Sequence, residues 1–276
     1  MDQKPLRRLV VNADDFGFTP DVNEGIIEAH RRGILTAATL MANGPAFEDA
    51  MRLAQDAPRL DVGCHLVLIG GRSLITGKEL PATVSQFLSA IASRQIRVYE
   101  ELRAQVRRLI RSGIQPSHLD THKHTHLVPP VLDAVARVGE EFGISWIRRP
   151  FDFPLHAKNG AAPFWKRLTN ASMGLLRHRF QHVIEKHHCQ TTDHFAGFRM
   201  TGQFRTRELV ELLRAIPPGT TELMCHPGRC GDALCRAPTR LKQSREEELT
   251  ALISVEAREA IESTGIELTN YRALRP

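Results

Sequence analysis

The sequence predicts an α/β fold, a distorted TIM-like (β/α) barrel formed by a single domain over residues 1–276. Three observations lead to it. Short β-branched apolar runs alternate with longer helical patterns about eight times, which argues for parallel strands joined by crossover helices. A chain of 276 residues suits one barrel better than an open sheet. Acids and imidazoles collect where the apolar runs stop, which is the end of the strands at which barrel enzymes carry out chemistry.

Taken in order, the expected strands are Leu9–Ala13, Ala37–Met41, Val62–Val67, Ser117–Thr121, Trp146–Arg148, His194–Gly197, Glu222–Cys225 and Ile266–Leu268. The helix expected over Asp21–Arg32 follows Thr19-Pro20, a start signal. Phe47–Ala54 and Val84–Ser93 read as shorter helices. Over Val98–Arg111 the residues Val98, Leu102, Val106, Leu109 and Ile110 share one face, the spacing of an amphipathic helix. Pro129–Phe142 opens on a proline pair and closes at Gly143. Thr206–Ala215 and Ser244–Ser263 complete the set. The stretch 151–189 is too long for an ordinary connection and reads as an extended helical insertion.

Hydrophobic residues make up 42% of the chain and charged residues 25%, the balance of a globular protein with a core of its own. The formal charge is +6, but Lys and Arg are scattered through helical stretches, so no nucleic-acid arm is expected. Five cysteines, an odd number without the close pairs of a zinc knuckle, and no secretory leader point to free thiols in a reducing cytoplasm. No apolar run approaches the ~20 residues of a membrane span. Within 151–189, "PFWKRLTNASMGLLRHRF" mixes aromatic and basic residues. Such a helix either packs on the barrel with its charges in water or rests peripherally on anionic lipid at the inner membrane face. The oligomeric state stays open, a homodimer included.

The polar residues at the strand ends carry the chemistry. The first strand runs into "NADDFG" with Asp14 and Asp15, the second into "MANG" with Asn43, the third carries His65, and the seventh ends in "MCHPG" with His226. The fourth runs into "HLDTHKHTH". If that segment stays extended, His118, Asp120, His122, His124 and His126 share a face. His122, where the strand should end, is then the expected metal ligand. His118 and Asp120 would support it from below, and His124 and His126, with Asn43, would line the substrate mouth. Each feature alone has a bland alternative: adjacent acids often cap a helix, a lone strand histidine is often a core residue, and His-Pro is often a turn. Their coincidence at matching strand ends is what argues for a site.

The blocks "VVNADDFGFTPDVNEGIIEAHRRGILTAATLMANG", "VGCHLVL", "HLDTHKHTH" and "ELMCHPG" resemble the YdjC-like carbohydrate deacetylases, a family that includes chitooligosaccharide and hopanoid-biosynthesis-associated deacetylases. The resemblance implies one divalent metal ion, Mg²⁺ or Zn²⁺, held by an Asp of the ADDFG block and by His65 and His122. Asp15 is the expected ligand and Asp14 the catalytic base, with the reverse order left open. His226 is the expected acid or oxyanion donor. The substrate implied is an acetylated amino sugar, on a glycan or a lipid. The alternatives are another mononuclear metal-dependent amidohydrolase, and a non-catalytic sugar- or metal-binding barrel.

Overall fold

The computed structural model describes residues 5–153 and 164–274, the side chains of 164–173 excepted. Eight strands form one sheet: β1 (Arg7–Phe16), β2 (Ala37–Leu40), β3 (Asp61–Leu66), β4 (His118–Thr121), β5 (Trp146–Ile147), β6 (His194–Ala196), β7 (Gly219–Cys225) and β8 (Ile266–Thr269). Every strand pairing is parallel, in the order β5-β4-β3-β2-β1-β7-β6. β1 lies against β7 along Arg7–Ala13, against β8 at Arg7–Val10 and against β2 at Asn12–Phe16. Among the described residues, single bridges tie the two ends of the order to the chain that flanks them, Trp146 of β5 to Gln190 and Phe195 of β6 to Asp152. The sheet is therefore curled into a distorted TIM-like barrel, as expected.

The helices are α1 (Pro20–Arg32), α2 (Phe47–Gln55), α3 (Val84–Ala92), α4 (Val98–Arg111), α5 (Pro129–Phe142), α6 (Phe164–Lys186), α7 (Thr206–Ala215), α8 (Asp232–Arg236), α9 (Gln243–Ile253) and α10 (Val255–Thr264). They cover the outer faces of the strands. Leu9, Val11 and Ala13 of β1 join Ile26 of α1, Leu213 of α7 and Leu252 of α9 in the main apolar core. The single helix expected over Ser244–Ser263 is two. Ser254 takes an extended conformation and its hydroxyl accepts from the Ala257 N–H at 3.2 Å, so it caps α10 rather than continuing α9. Part of the 151–189 stretch is helical, as α6. Trp165 and Leu168, on which the lipid reading rests, have side chains outside the described residues. Among the described residues no helix is long and apolar enough to cross a membrane.

The inward faces of the strands form a polar column rather than an aliphatic core. Asn12, Asp14, His118, Asp120, Arg148 and Glu222 are all buried there. The His118 ring stacks on Tyr271 with centroids 3.9 Å apart and bridges Ser117 Oγ (2.8 Å) and Asn12 Oδ1 (3.0 Å). It fits because β3 has Gly63 opposite: a Cβ there would sit 2.5 Å from the imidazole.

The extended reading of the histidine-rich segment fails beyond the strand. β4 stops at Thr121, and His122–Leu127 is a tight 3₁₀ turn in which Lys123 (φ 54°) and His124 (φ 51°) are left-handed. His118 and Asp120 share the inward face, but His124 and His126 no longer follow the alternation.

Candidate metal centre and active site

Two backbone irregularities build the site. The first lies between Ala13 and Phe16, where three steps along β1 match two along β2. That extra residue is a bulge, and Asp15 takes φ 69° within it. In a regular strand Asp14 and Asp15 would face opposite sides. The bulge, with one residue in left-handed backbone that a non-glycine residue rarely adopts, turns both carboxylates into the barrel. The second irregularity is the turn after β4, which lifts His122 over the same opening.

Three donor atoms then converge. Asp15 Oδ1 lies 3.0 Å from His122 Nδ1 and 3.3 Å from His65 Nε2, and the two ring nitrogens are 3.3 Å apart. Ligand atoms about 2.1 Å from one ion, at angles between octahedral and tetrahedral, lie about 3.0–3.4 Å apart, so this triangle fits a divalent metal. The remaining atoms of the ligands are fixed elsewhere. His65 Nδ1 faces Asp120 Oδ1 at 2.7 Å, and Thr39 Oγ1 donates to Asp120 Oδ2 at 3.0 Å. Arg245 of α9 donates to Asp15 Oδ2 at 2.5 Å. A ring held by a carboxylate on its far nitrogen is the usual support of a metal-ligating histidine. Burial disfavours charge on His65, yet Asp120, Asp15 and Asp14 outweigh it and raise the ring to about 10. The position therefore favours a cation.

Asp14, His65 and Asp120 form a second cluster of potential ligands. It does not suit an ion. Arg148 NH1 already lies 2.7 Å from both Asp14 Oδ2 and Asp120 Oδ2, so a metal there would face a guanidinium. Arg148 also donates through NH2 to Asp14 Oδ1 at 2.6 Å and through Nε to Glu222 Oε1 at 2.8 Å. Burial would raise the Asp14 pKa, but the charge and paired hydrogen bonds of Arg148 outweigh it and hold the carboxyl well below the usual range. Burial pushes Glu222 up to about 7, against Arg148.

His226, following β7, brings Nε2 to 4.0 Å from Asp14 Oδ2. Its backbone N–H donates to Glu248 of α9 at 2.5 Å, while its buried Nδ1 has no partner among the described residues. Burial holds this imidazole at about 4, although Asp14 and Asp15 pull the other way. The other expected site residues lie further out. Asn43 donates to the Arg72 carbonyl at 3.0 Å and so ties the end of β2 to the loop after β3. His124 is buried, edge-on to Phe198 at 4.8 Å, and feels the charges of Arg148, Asp14 and His226. His126 is buried with Nδ1 2.5 Å from Thr121 Oγ1, and its Nε2 has no partner among the described residues.

Two residues that sequence reasoning missed are arginines. Arg148 follows β5 directly, so the strand-end rule that found Asp14 and His226 could have found it. Arg245 lies in a helix 230 residues from its partner Asp15, and no local pattern marks it.

A parallel α/β barrel whose strand ends gather a three-donor carboxylate–imidazole triangle beside a buried Asp–Arg pair has the residue set of a barrel that could hold a divalent metal. Residues 8–263 match the family described as YdjC-like protein, and the chain belongs to that family. A carbohydrate deacetylase of Brevibacillus brevis is 32% identical, with 97% of this chain and 99% of the relative aligned. Another carbohydrate deacetylase, from Geobacillus stearothermophilus, is 33% identical over 96% and 97% of the two chains. A crystal structure from Enterococcus faecalis V583, whose suggested role is cellobiose-phosphate cleavage, has a TM-score of 0.75 at 27% identity and covers 98% of this chain and 100% of its own.

Proposed function

We propose that the protein is a metal-dependent carbohydrate deacetylase that hydrolyses the N-acetyl group of an acetylated amino sugar. The observation that carries this reading is the Asp15–His65–His122 triangle next to an ionised carboxylate that is not part of it. The names of the relatives, matched over nearly the whole chain, support the substrate class.

Asp15, His65 and His122 would hold the ion, and two nitrogens with one oxygen favour Zn²⁺ over Mg²⁺. The bound ion supplies Lewis acidity toward an acetamide carbonyl and acidifies water. Asp14, kept ionised by Arg148, takes the proton from the water that attacks the carbonyl carbon. Paired donation from Arg148 fixes the direction of that carboxylate. The C–N bond then breaks, the proton passes to the leaving amine nitrogen, and acetate is released with the free amino sugar. His226 is neutral at pH 7 and serves as a hydrogen-bond donor to the developing oxyanion, in the way a neutral imidazole can polarise a carbonyl.

The test is acetate release from a panel of N-acetylated glycans and N-acetylglucosaminyl lipids, with the metal-loaded and the chelator-treated protein. Release that needs the metal supports the reading. Binding of the same sugars without release of acetate by the loaded protein would make it a binding barrel.

A further inference from the structure

The turn after β6 presents a partly exposed phenylalanine at the strand-end mouth, next to the end of β7 that precedes His226. Phe198 is 46% exposed, although large apolar side chains elsewhere in the barrel are mostly buried. Its position is fixed from several directions. Gly197 (φ +118°) packs so closely on β7 that a Cβ would sit 2.3 Å from the Met224 carbonyl oxygen, two residues before His226. The Asp152 carboxylate accepts from the backbone N–H groups of Phe198 (3.1 Å) and Arg199 (2.9 Å). Glu248 accepts from the Gly202 N–H at 3.1 Å through one oxygen and from the His226 N–H at 2.5 Å through the other. One carboxylate thus locks the Phe198 turn to the catalytic histidine. The His124 ring meets Phe198 edge-on, 89° between planes, and so fixes the tilt of the exposed ring.

We infer that Phe198 is the stacking platform for a pyranose ring of the substrate, on the His226 side of the metal centre. Single exposed apolar side chains are ordinary on a protein surface; this one differs in its place at the strand-end mouth beside β7, with its backbone held by Asp152 and its ring against His124. A pyranose offers one face of axial C–H groups and a rim of hydroxyls. The C–H face suits the electron-rich face of Phe198, and the hydroxyls stay in water at the mouth. The inference rests on the deacetylase reading and sharpens it: the substrate is a sugar recognised through its ring, beyond the acetamide itself. Phe198 acts on binding and touches no reacting atom.

The experiment measures acetate release from N-acetylglucosamine and its β-1,4-linked disaccharide by the metal-loaded wild type, Phe198→Ala and Phe198→Trp. The expected result is a KM raised about tenfold in Phe198→Ala, the scale of one aromatic contact, with kcat within about twofold. Phe198→Trp restores the wild-type KM. A wild-type enzyme that is active on these sugars, with the same KM in Phe198→Ala, overturns the platform and leaves the deacetylase reading standing. A wild-type protein that releases no acetate from either sugar, and whose equilibrium binding of the disaccharide by calorimetry is the same in Phe198→Ala, overturns both.

Discussion

Asp14 and Asp15 are neighbours in sequence, yet they belong to two different electrostatic regions. Asp14 enters a closed network in which a buried guanidinium is shared by Asp14, Asp120 and Glu222. Asp15 enters an open triangle with two imidazoles, backed on its other oxygen by Arg245. In the first region the positive charge is part of the chain and cannot leave. In the second, under the proposed function, the three donors are filled by a cation that comes from outside. The contrast teaches that one bulge residue can separate a buried ion network from a candidate metal site. It also explains why one carboxylate is kept ionised by a guanidinium of the chain while its neighbour faces two imidazoles.

The two regions should break differently. The largest effect is expected at Arg148. Arg148→Met leaves Asp14, Asp120 and Glu222 buried without their counter-charge, a change that costs about 3–5 kcal/mol. Against a total stability of about 5–15 kcal/mol, that should lower the unfolding midpoint strongly in urea. An unchanged midpoint would mean that the network does not hold the barrel together.

His65→Ala strikes the open region instead. It should abolish metal retention and bring acetate release to background, with the far-ultraviolet circular dichroism of the wild type. Full metal occupancy by elemental analysis would remove His65 from the ligand set.

His226→Ala should keep the metal and lower kcat by about 10²–10³, the effect of deleting one oxyanion donor. The folded-state pKa of His226 lies below that of a free imidazole, so the ring is already neutral from about pH 5 upward. Its loss should therefore leave the alkaline limb of the pH–rate profile in place. A limb that disappears would assign His226 a stored proton, and thus the role of general acid.

The smallest effect is expected at Thr39, whose hydroxyl donates to Asp120 behind His65. Thr39→Val should weaken metal affinity by about 10–100-fold, as removal of an outer support does, with little loss of stability. Metal titration against a competing chelator measures it, and wild-type affinity would show that Asp120 is oriented by Arg148 alone.

The strands were legible in the sequence because each is a short apolar run followed by a polar end, and all eight appear close to their expected positions. The candidate site residues were legible as types: acids toward the end of β1, imidazoles at β3 and just after β4 and β7. What stayed hidden were the backbone events. Nothing in "NADDFG" marks which carboxylate faces which partner, since the bulge depends on the register against β2. Nothing in "HKHTH" marks the left-handed pair Lys123 and His124, for which glycine or asparagine would be the usual signal. Arg245 was hidden because arginine is ordinarily a surface residue and only the fold brings it to β1, whereas Arg148 directly follows a strand and was within reach of the strand-end rule.

The division of labour between the two neighbouring carboxylates is tested most directly by the metal stoichiometry of Asp14→Asn against Asp15→Asn. After equal loading with Zn²⁺ and gel filtration, Asp14→Asn should retain close to one ion per chain while its deacetylation rate falls about 10²–10⁴-fold, as expected when a general base is lost. Asp15→Asn should emerge without metal. An empty Asp14→Asn beside a loaded Asp15→Asn would contradict the assignment and exchange the two roles.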